Sequence, residues 1–180
     1  GLIVSSACLG GEIPRKILSG KIEEAEQAIL WFKKVFGEDY YLELQRHEVT
    51  RTDIRANRDT FPLQQQCNTT IIELARKHNV KLICTNDSHF VDEENSEAHD
   101  RLICLSTGKD LDDPNRMLYT KQEWFKTQEE MNTVFADIPE ALANTCEILD
   151  KVETYTIDHA PVMPNFEIPE EFGTEKGYRE

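Results

Sequence analysis

The sequence lacks any apolar run long enough to cross a membrane. None approaches the ~18 to 20 consecutive apolar residues that a spanning helix requires. The chain also does not open with a positively charged stretch followed by an apolar one, the pattern of a secretory leader. We therefore expect a soluble, cytoplasmic protein with no membrane partner.

Basic side chains are the minority, since 20 Lys and Arg stand against 34 Asp and Glu for a net charge of −14. Phosphate backbones repel so acidic a chain, which disfavours a free-standing protein that grips nucleic acid non-specifically through a basic face. A local patch stays open. Arg51, Arg55 and Arg58 fall at spacings of four and three, and on a helix they would face either a phosphate backbone or solvent and neighbouring acids.

Cysteine is sparse and scattered, with five residues and no Cys-x-x-Cys pair. This excludes the disulfide framework of a small secreted domain and leaves a structural zinc knuckle unsupported. A Gly-rich phosphate loop and a dinucleotide fingerprint are also missing, so nothing favours a nucleotide cofactor. We expect four cysteines to be reduced thiols in apolar surroundings, namely Cys67, Cys84, Cys104 and Cys146.

What the sequence does contain is a repeated order of strand and helix. Apolar runs at residues 2–6, 40–45 and 82–85 predict strands, and each precedes apolar residues at helical spacings of three and four. Gly37 ends the first helix and Gly108 the third. Crossovers of this length predict parallel strands, so the fold class is α/β, a parallel sheet or part of a barrel. A complete eight-unit barrel takes ~250 residues, so three units predict a piece of one.

The pattern changes after the third helix. A polar turn at residues 110–115 leads to two short helical stretches at residues 128–135 and 139–149. Prolines and glycines then become frequent toward the end of the chain, which indicates an extended linker. We therefore divide the chain into a domain at residues 1–160 and a linker at residues 161–180.

Polar side chains follow each predicted strand, with Cys8 after the first, His47 after the second, and Asp87 and His89 after the third. The carboxyl ends of parallel strands converge, and catalytic groups cluster there. Asp87 and His89 leave an extended segment on the same side and suit zinc, manganese or iron, unless Asp87 merely caps the next helix. Cys8 is either a thiolate ligand or a small buried hydrophobe, and His47 either an acid or base or a surface histidine. His99, inside the third helix, is expected to be structural or solvated.

A family resemblance is carried by the segments GLIVSSACLGGE at residues 1–12, YLELQ at residues 41–45 and CTNDSHF at residues 84–90. A run from AHDRLIC to TGKDLDDPNRM at residues 98–117 adds to it, as does the tail that begins with MPNF at Met163. Together these segments resemble the polymerase and histidinol phosphatase (PHP) domain, in the branch carried by bacterial replicative DNA polymerase III alpha subunits.

The resemblance implies a fold, a set of ligands and a cofactor. The fold is a distorted TIM-like (β/α)7 barrel, of which this chain would form the later portion, with the linker leading toward the polymerase body. The barrel holds divalent metal ions, zinc or manganese before magnesium, and the matching positions give Cys8, Asp87 and His89 a ligand role. The family's opening His-x-His motif has no counterpart in this sequence.

The activity implied by the resemblance is 3′ to 5′ proofreading hydrolysis of DNA phosphodiesters, inside a DNA polymerase that is a nucleotidyltransferase of DNA replication. The implied partners are the rest of the alpha chain, a DNA 3′ end and a separate proofreading subunit. We expect the 180-residue chain to be inactive alone. Two alternatives stay open: a non-catalytic scaffold that braces the polymerase and docks the proofreading subunit, and a phosphoesterase of the histidinol-phosphate type, against which residues 112–115 argue.

Overall fold

A computed structural model describes residues 1–48, 55–164, 167–173 and 176. Three strands, six α-helices and three short 3-10 turns are assigned within these residues. The strands are β1 (Val4–Ser5), β2 (Tyr40–Leu44) and β3 (Lys81–Cys84). The helices are α1 (Glu12–Leu18), α2 (Ile22–Phe36), α3 (Arg55–His78), α4 (Ser96–Thr107), α5 (Gln128–Val134) and α6 (Pro139–Lys151). The 3-10 turns are Gly37–Asp39, Glu93–Asn95 and Glu170–Phe172.

The three strands form one parallel sheet in the order β1-β2-β3. Val4 pairs with Tyr40 in the first ladder, and Leu44 pairs with Cys84 in the second. The predicted α/β class and the parallel pairing of three strand-helix units are therefore confirmed. A closed barrel is not seen, because the described residues form an open three-stranded sheet.

Glycine ends two of the helices where the sequence predicted it. Gly37 follows α2 at φ 58° and Gly108 follows α4 in the left-handed conformation at φ 64°, a region that costs other residues about 1–2 kcal/mol. The first crossover differs from the prediction, because it contains α1 in addition to α2. Lys33 of α2 donates from Nζ to the carbonyl oxygens of His78 (2.6 Å) and Asn79, so a positive charge meets the carboxyl end of α3.

The central strand β2 is covered on both faces, because four of its five residues are buried. Tyr40 stacks on Phe32 of α2 with ring centroids 5.1 Å apart. Tyr41, which points the other way, is also fully buried, and its hydroxyl donates to Glu147 of α6 at 2.9 Å. Helices therefore pack on both sides of β2, as is usual in parallel sheets.

The core lies between the sheet and the helices α1, α2, α3 and α6. Its fully buried members include Ile29 of α2, Leu42 of β2 and Ile71 of α3. Four of the five cysteines were expected in apolar surroundings. Cys67, Cys84 and Cys104 are buried, and burial raises the pKa of the Cys67 thiol to about 11 and that of Cys84 to about 12. Cys146 is exposed, so the expectation is wrong for it.

The region that begins with α4 is much less buried. Only Cys104 of this helix is buried, whereas Leu102 is 62% and Leu105 81% exposed. Residues 152–164 form neither helix nor strand and are exposed throughout. The division of the chain at residues 160 and 161 stays a prediction. In the part of the chain with described coordinates, no helix combines the length and apolarity that crossing a membrane requires.

Candidate metal centre at the carboxyl edge of the sheet

The turn after β1 places Cys8 at the carboxyl edge. The Gly11 N–H donates to the Cys8 carbonyl at 2.8 Å and closes the turn. A Cβ on Gly11 would lie 2.2 Å from the Ser6 carbonyl oxygen, so only glycine fits there. Cys8 is half-buried and lines a small cleft with Gln45 and Gln64. Of the two interpretations of Cys8, the small buried hydrophobe does not fit this partial exposure.

Polar side chains link the ends of the three strands. The Glu43 carboxylate accepts from the Ser5 hydroxyl at 2.6 Å, from the Gln45 amide at 2.9 Å and from the Thr85 hydroxyl. Ser5 belongs to β1 and Thr85 directly follows β3. One carboxylate in the central strand therefore fixes the relative positions of its two neighbours.

His47, which follows β2, is buried at 3% exposure, so the surface-histidine interpretation is wrong. Gln64 of α3 accepts from the His47 main-chain N–H at 2.9 Å and donates to its Nδ1 at 3.0 Å. Because Nδ1 accepts, Nε2 carries the proton and donates to the Asn86 carbonyl at 2.9 Å. Burial lowers the pKa of His47, although the nearby carboxylate of Glu123 opposes the change.

Asp87 and His89 are brought together after β3, with Asp87 Oδ1 3.5 Å from His89 Nε2. The segment is not the extended one that the spacing suggested, since Asp87 has φ 46° in the left-handed region. Asn86 anchors the turn by donating from Nδ2 to the carbonyls of Gln122 (2.9 Å) and Trp124 (2.7 Å). The turn conformation, and not the alternation of side chains along a strand, therefore brings Asp87 and His89 together.

The His89 end of the turn is attached to residues 122–124, the segment that Asn86 also contacts. The His89 N–H donates to the Glu123 carbonyl at 2.7 Å, and Phe90 forms a parallel bridge with Trp124. The alternative interpretation, in which Asp87 only caps the next helix, does not fit, because Asp92 is the residue that caps the 3-10 turn Glu93–Asn95.

Rings surround the exposed side of the pair. The His89 ring lies 4.6 Å from the Tyr119 ring and 5.6 Å from the ring of His99, which belongs to α4. Burial, followed by the neighbouring His89 imidazole, lowers the pKa of His99. Burial also raises the pKa of Tyr119, and the charges of Asp87 and Glu123 add to the rise. His99 thus belongs to the surroundings of the site.

Glu123 and Thr120 are residues of this site that the sequence analysis missed. Both are buried, and Glu123 Oε1 accepts from the Thr120 N–H at 3.0 Å and from its hydroxyl at 2.7 Å. The same oxygen lies 3.6 Å from His47 Nδ1. The spacing Thr-x-x-Glu is the one available signal, because it is typical of a side chain that closes on the backbone three residues away.

The donor set fits a divalent cation chemically but is incomplete. Asp87 and His89 supply a carboxylate and an imidazole, and two buried acceptor atoms nearby, Asn86 Oδ1 and Glu123 Oε2, have no hydrogen-bond partner among the described residues. Within residues 1–48, 55–164, 167–173 and 176, however, no three His, Cys, Asp or Glu side chains form a group that could hold a metal. Cys8 is therefore not joined to the pair in one ligand group.

Of the three arginines predicted to share a helix face, only Arg55 has a described side chain. Its guanidinium donates to the carbonyls of Pro114 and, at 2.9 Å, of Arg116. Arg51 and the side chain of Arg58 lie outside the described residues. Arg55 thus contacts the segment that follows α4.

Comparison with known proteins shows what the chain is similar to. The family model described as PHP domain matches residues 1–47. The whole chain is 43% identical to the DNA polymerase III subunit alpha of Borreliella burgdorferi, and 96% of it is 38% identical to that of Campylobacter jejuni. The chain is homologous to the PHP region of bacterial DNA polymerase III alpha subunits.

This homology extends through the site. The alpha subunit of Treponema pallidum is 33% identical over 99% of the chain, so the similarity continues well beyond the 47 residues of the family match. The chain spans only about 15% of the length of the curated relatives it matches. The family resemblance read from the sequence is confirmed, and the matched regions are parts of much longer polymerase chains.

Proposed function

We propose that the chain is part of a DNA polymerase III alpha subunit, the nucleotidyltransferase of DNA replication, and that its residues 1–160 contribute to a metal-dependent 3′ to 5′ proofreading exonuclease. Residues 161–180 would then lead toward the polymerase body. Homology over nearly the whole chain supports the first part. The observation that carries the second is the Asp87–His89 pair at the carboxyl edge of a parallel sheet.

Asp87 and His89 are the residues proposed to hold a divalent cation, zinc or manganese before magnesium, and Cys8 is the proposed thiolate ligand. A cation bound there supplies positive charge for a phosphodiester and acidifies a water molecule. With a net charge of −14, the chain itself offers little attraction for DNA. The Arg55 guanidinium donates to two main-chain carbonyls, so two of its N–H donors are already used within the chain.

Under this proposal, residues outside those described supply the remaining metal ligands. They also supply most of the contacts to DNA. Two donors 3.5 Å apart do not complete the four-coordinate site that zinc prefers. The great length of the relatives supports a source for the rest. The DNA 3′ end is accordingly proposed as a substrate of the longer enzyme.

The second candidate is a scaffold that braces the polymerase and docks a proofreading subunit without chemistry of its own. It is favoured by one observation, that the described part of the chain contains no group of three metal-binding side chains. The two candidates differ in whether Asp87 matters for metal content.

The experiment uses the full-length alpha chain, its Asp87→Asn variant and a matched Asp112→Asn control, which changes an exposed carboxylate of the polar turn. Zinc and manganese content is measured by elemental mass spectrometry after metal supplementation. Hydrolysis of a 3′-mismatched primer is measured in parallel, and retained polymerase activity verifies folding. We expect Asp87→Asn to lose metal and hydrolysis while Asp112→Asn keeps both. A parent protein that stays metal-free establishes the scaffold, and a metal-loaded parent without hydrolysis refutes the exonuclease.

A further inference from the structure

His47 has the contacts of a residue that positions others. It is buried at 3% exposure, and both ring nitrogens are already used, Nδ1 by Gln64 and Nε2 by the Asn86 carbonyl. A side chain in this state has no free atom for a substrate or a metal ion. The acid or base role that the sequence left open for His47 therefore lacks an available nitrogen.

Gln64 fixes the ring in one orientation. Its amide bonds the same residue twice, at the main-chain N–H (2.9 Å) and at Nδ1 (3.0 Å), so the ring cannot turn without breaking the Nδ1 contact. Gln64 is itself 3% exposed and projects from α3, a 24-residue helix. The Nε2 proton is consequently held in a fixed position, which is the arrangement that orients ligands in metal sites.

The carbonyl that accepts this hydrogen bond belongs to the peptide between Asn86 and Asp87. The orientation of this peptide plane, together with the Asp87 Cα–C bond, defines the Asp87 φ of 46°. The left-handed region is less favourable than the right-handed one for residues other than glycine, so contacts that fix the peptide help to hold Asp87 there. The His47 bond to the Asn86 carbonyl and the two bonds donated by the Asn86 side-chain amide supply such contacts.

We propose that His47 is a positioning residue for the Asp87–His89 pair. Gripped by Gln64, it fixes the Asn86–Asp87 peptide and thereby holds the Asp87 carboxylate 3.5 Å from the His89 ring. This inference rests on the proposed metal site and goes beyond it, because it assigns a function to a residue that contacts neither member of the pair.

The test compares two substitutions at His47 in the full-length alpha chain. His47→Gln places an amide N–H near the position of Nε2 and keeps a donor for the Asn86 carbonyl. His47→Asn is one methylene shorter, so it reaches Gln64 but not Asn86. Binding of Co²⁺ is followed by its visible absorption, and the signal assigned to the site is the part that Asp87→Asn removes.

We expect His47→Asn to weaken Co²⁺ binding about 10–100-fold, the usual range for a residue behind a metal ligand, and His47→Gln to stay within about threefold of the parent. Ile29→Val, a fully buried change in α2, is the control for general destabilisation and should leave Co²⁺ affinity unchanged. Equal affinity in His47→Asn and the parent would overturn the inference.

His47→Gln keeps the inference falsifiable if His47→Asn does not fold, since a tenfold loss in a variant that retains the donor also contradicts it. The failure of the proposed function is separate. If Asp87→Asn leaves Co²⁺ absorption unchanged, the metal site and the inference fail together. If Asp87→Asn removes the absorption and His47→Asn does not weaken it, only the inference fails.

Discussion

The sheet with its covering helices and the region around α4 are held by different forces. Ile29 and Leu42 are fully buried between helix and strand, so removal of apolar surface from water stabilises this part. The α4 region buries only Cys104 from its helix and depends on polar links instead. Arg116 pairs with Asp100, and Lys121 pairs with Glu97.

The molecule therefore has a tightly packed part, the sheet and its covering helices, and a more exposed part around α4. The Asp87–His89 pair lies at the junction, attached through Asn86 and His47 to the buried side and through the His89 ring to His99 of α4. Its main chain is therefore fixed by the core, while its open side faces a partly exposed helix. Perturbing each side separately should give effects of different size.

The largest effect is expected from a cavity in the packed half. Leu42→Ala should lower the free energy of unfolding by about 2–5 kcal/mol, because the side chain is 0% exposed and leaves a void. Leu105→Ala in α4 removes the same atoms from a residue that is 81% exposed, and should change it by less than about 0.5 kcal/mol. Urea denaturation of the 180-residue chain checks both. Similar losses in the two variants would contradict the division.

A medium effect is expected from pH through His47. Its pKa is lowered in the folded chain, so below the unfolded pKa of about 6.5 the unfolded state binds the proton first. Stability is thus fully present above pH ~6.5 and falls as the pH drops toward the folded pKa, by at most about 1.4 kcal/mol per pH unit from this group. Unfolding curves at pH 7.5, 6.5 and 5.5 measure the slope.

His47→Gln is the control for that slope. It has no imidazole to protonate, so its stability should vary less than that of the parent between pH 7.5 and 5.5. The carboxylates whose pKa values are lowered, among them Asp137 beside Arg46, contribute stability that is present above their unfolded pKa values near pH 4 and is lost only at lower pH, so they do not affect the slope between pH 7.5 and 5.5. An unchanged slope in His47→Gln would assign the effect to another group.

The smallest effect is expected from the ion pair at the edge of α4. Glu97 is well exposed, and such pairs contribute about 0–1 kcal/mol and weaken with salt. Glu97→Gln should therefore cost less than about 1 kcal/mol at low ionic strength and almost nothing in 0.5 M NaCl. Thermal melts at both salt concentrations test this. A loss that persists at high salt would mean that packing, and not charge, secures Lys121.

The sequence was most informative where one local force dominates. Apolar periodicity predicted β2, β3 and most helices to within a few residues, and the glycines at positions 37 and 108 end their helices as expected. Periodicity could not predict that Tyr41 is buried, because that depends on α6, which lies about a hundred residues further along the chain. The extended conformation expected at Asp87 was wrong for the same reason, since distant contacts hold the left-handed turn.

The site was predictable in its first members only. Convergence of strand ends correctly indicated that Asp87 and His89 lie at one edge, and the structure brings them together. Glu123 and Thr120 come from a segment without a strand or helix, where no periodic signal exists. The burial of His47 was hidden because its neighbours Arg46 and Glu48 are charged, while its partner Gln64 is 17 residues away.

The cysteines differ in exposure and acidity, so their reactivity reports on local opening of the fold. Cys67 of α3 and Cys84 of β3 belong to the core, and burial raises their thiol pKa values to about 11 and 12, so almost none of either thiol is ionised at neutral pH. Cys146 is exposed on α6. A thiol-specific electrophile will therefore modify Cys146 in the native chain. It will reach Cys67 and Cys84 only when helix and sheet separate transiently, so their labelling rates measure local opening of the core.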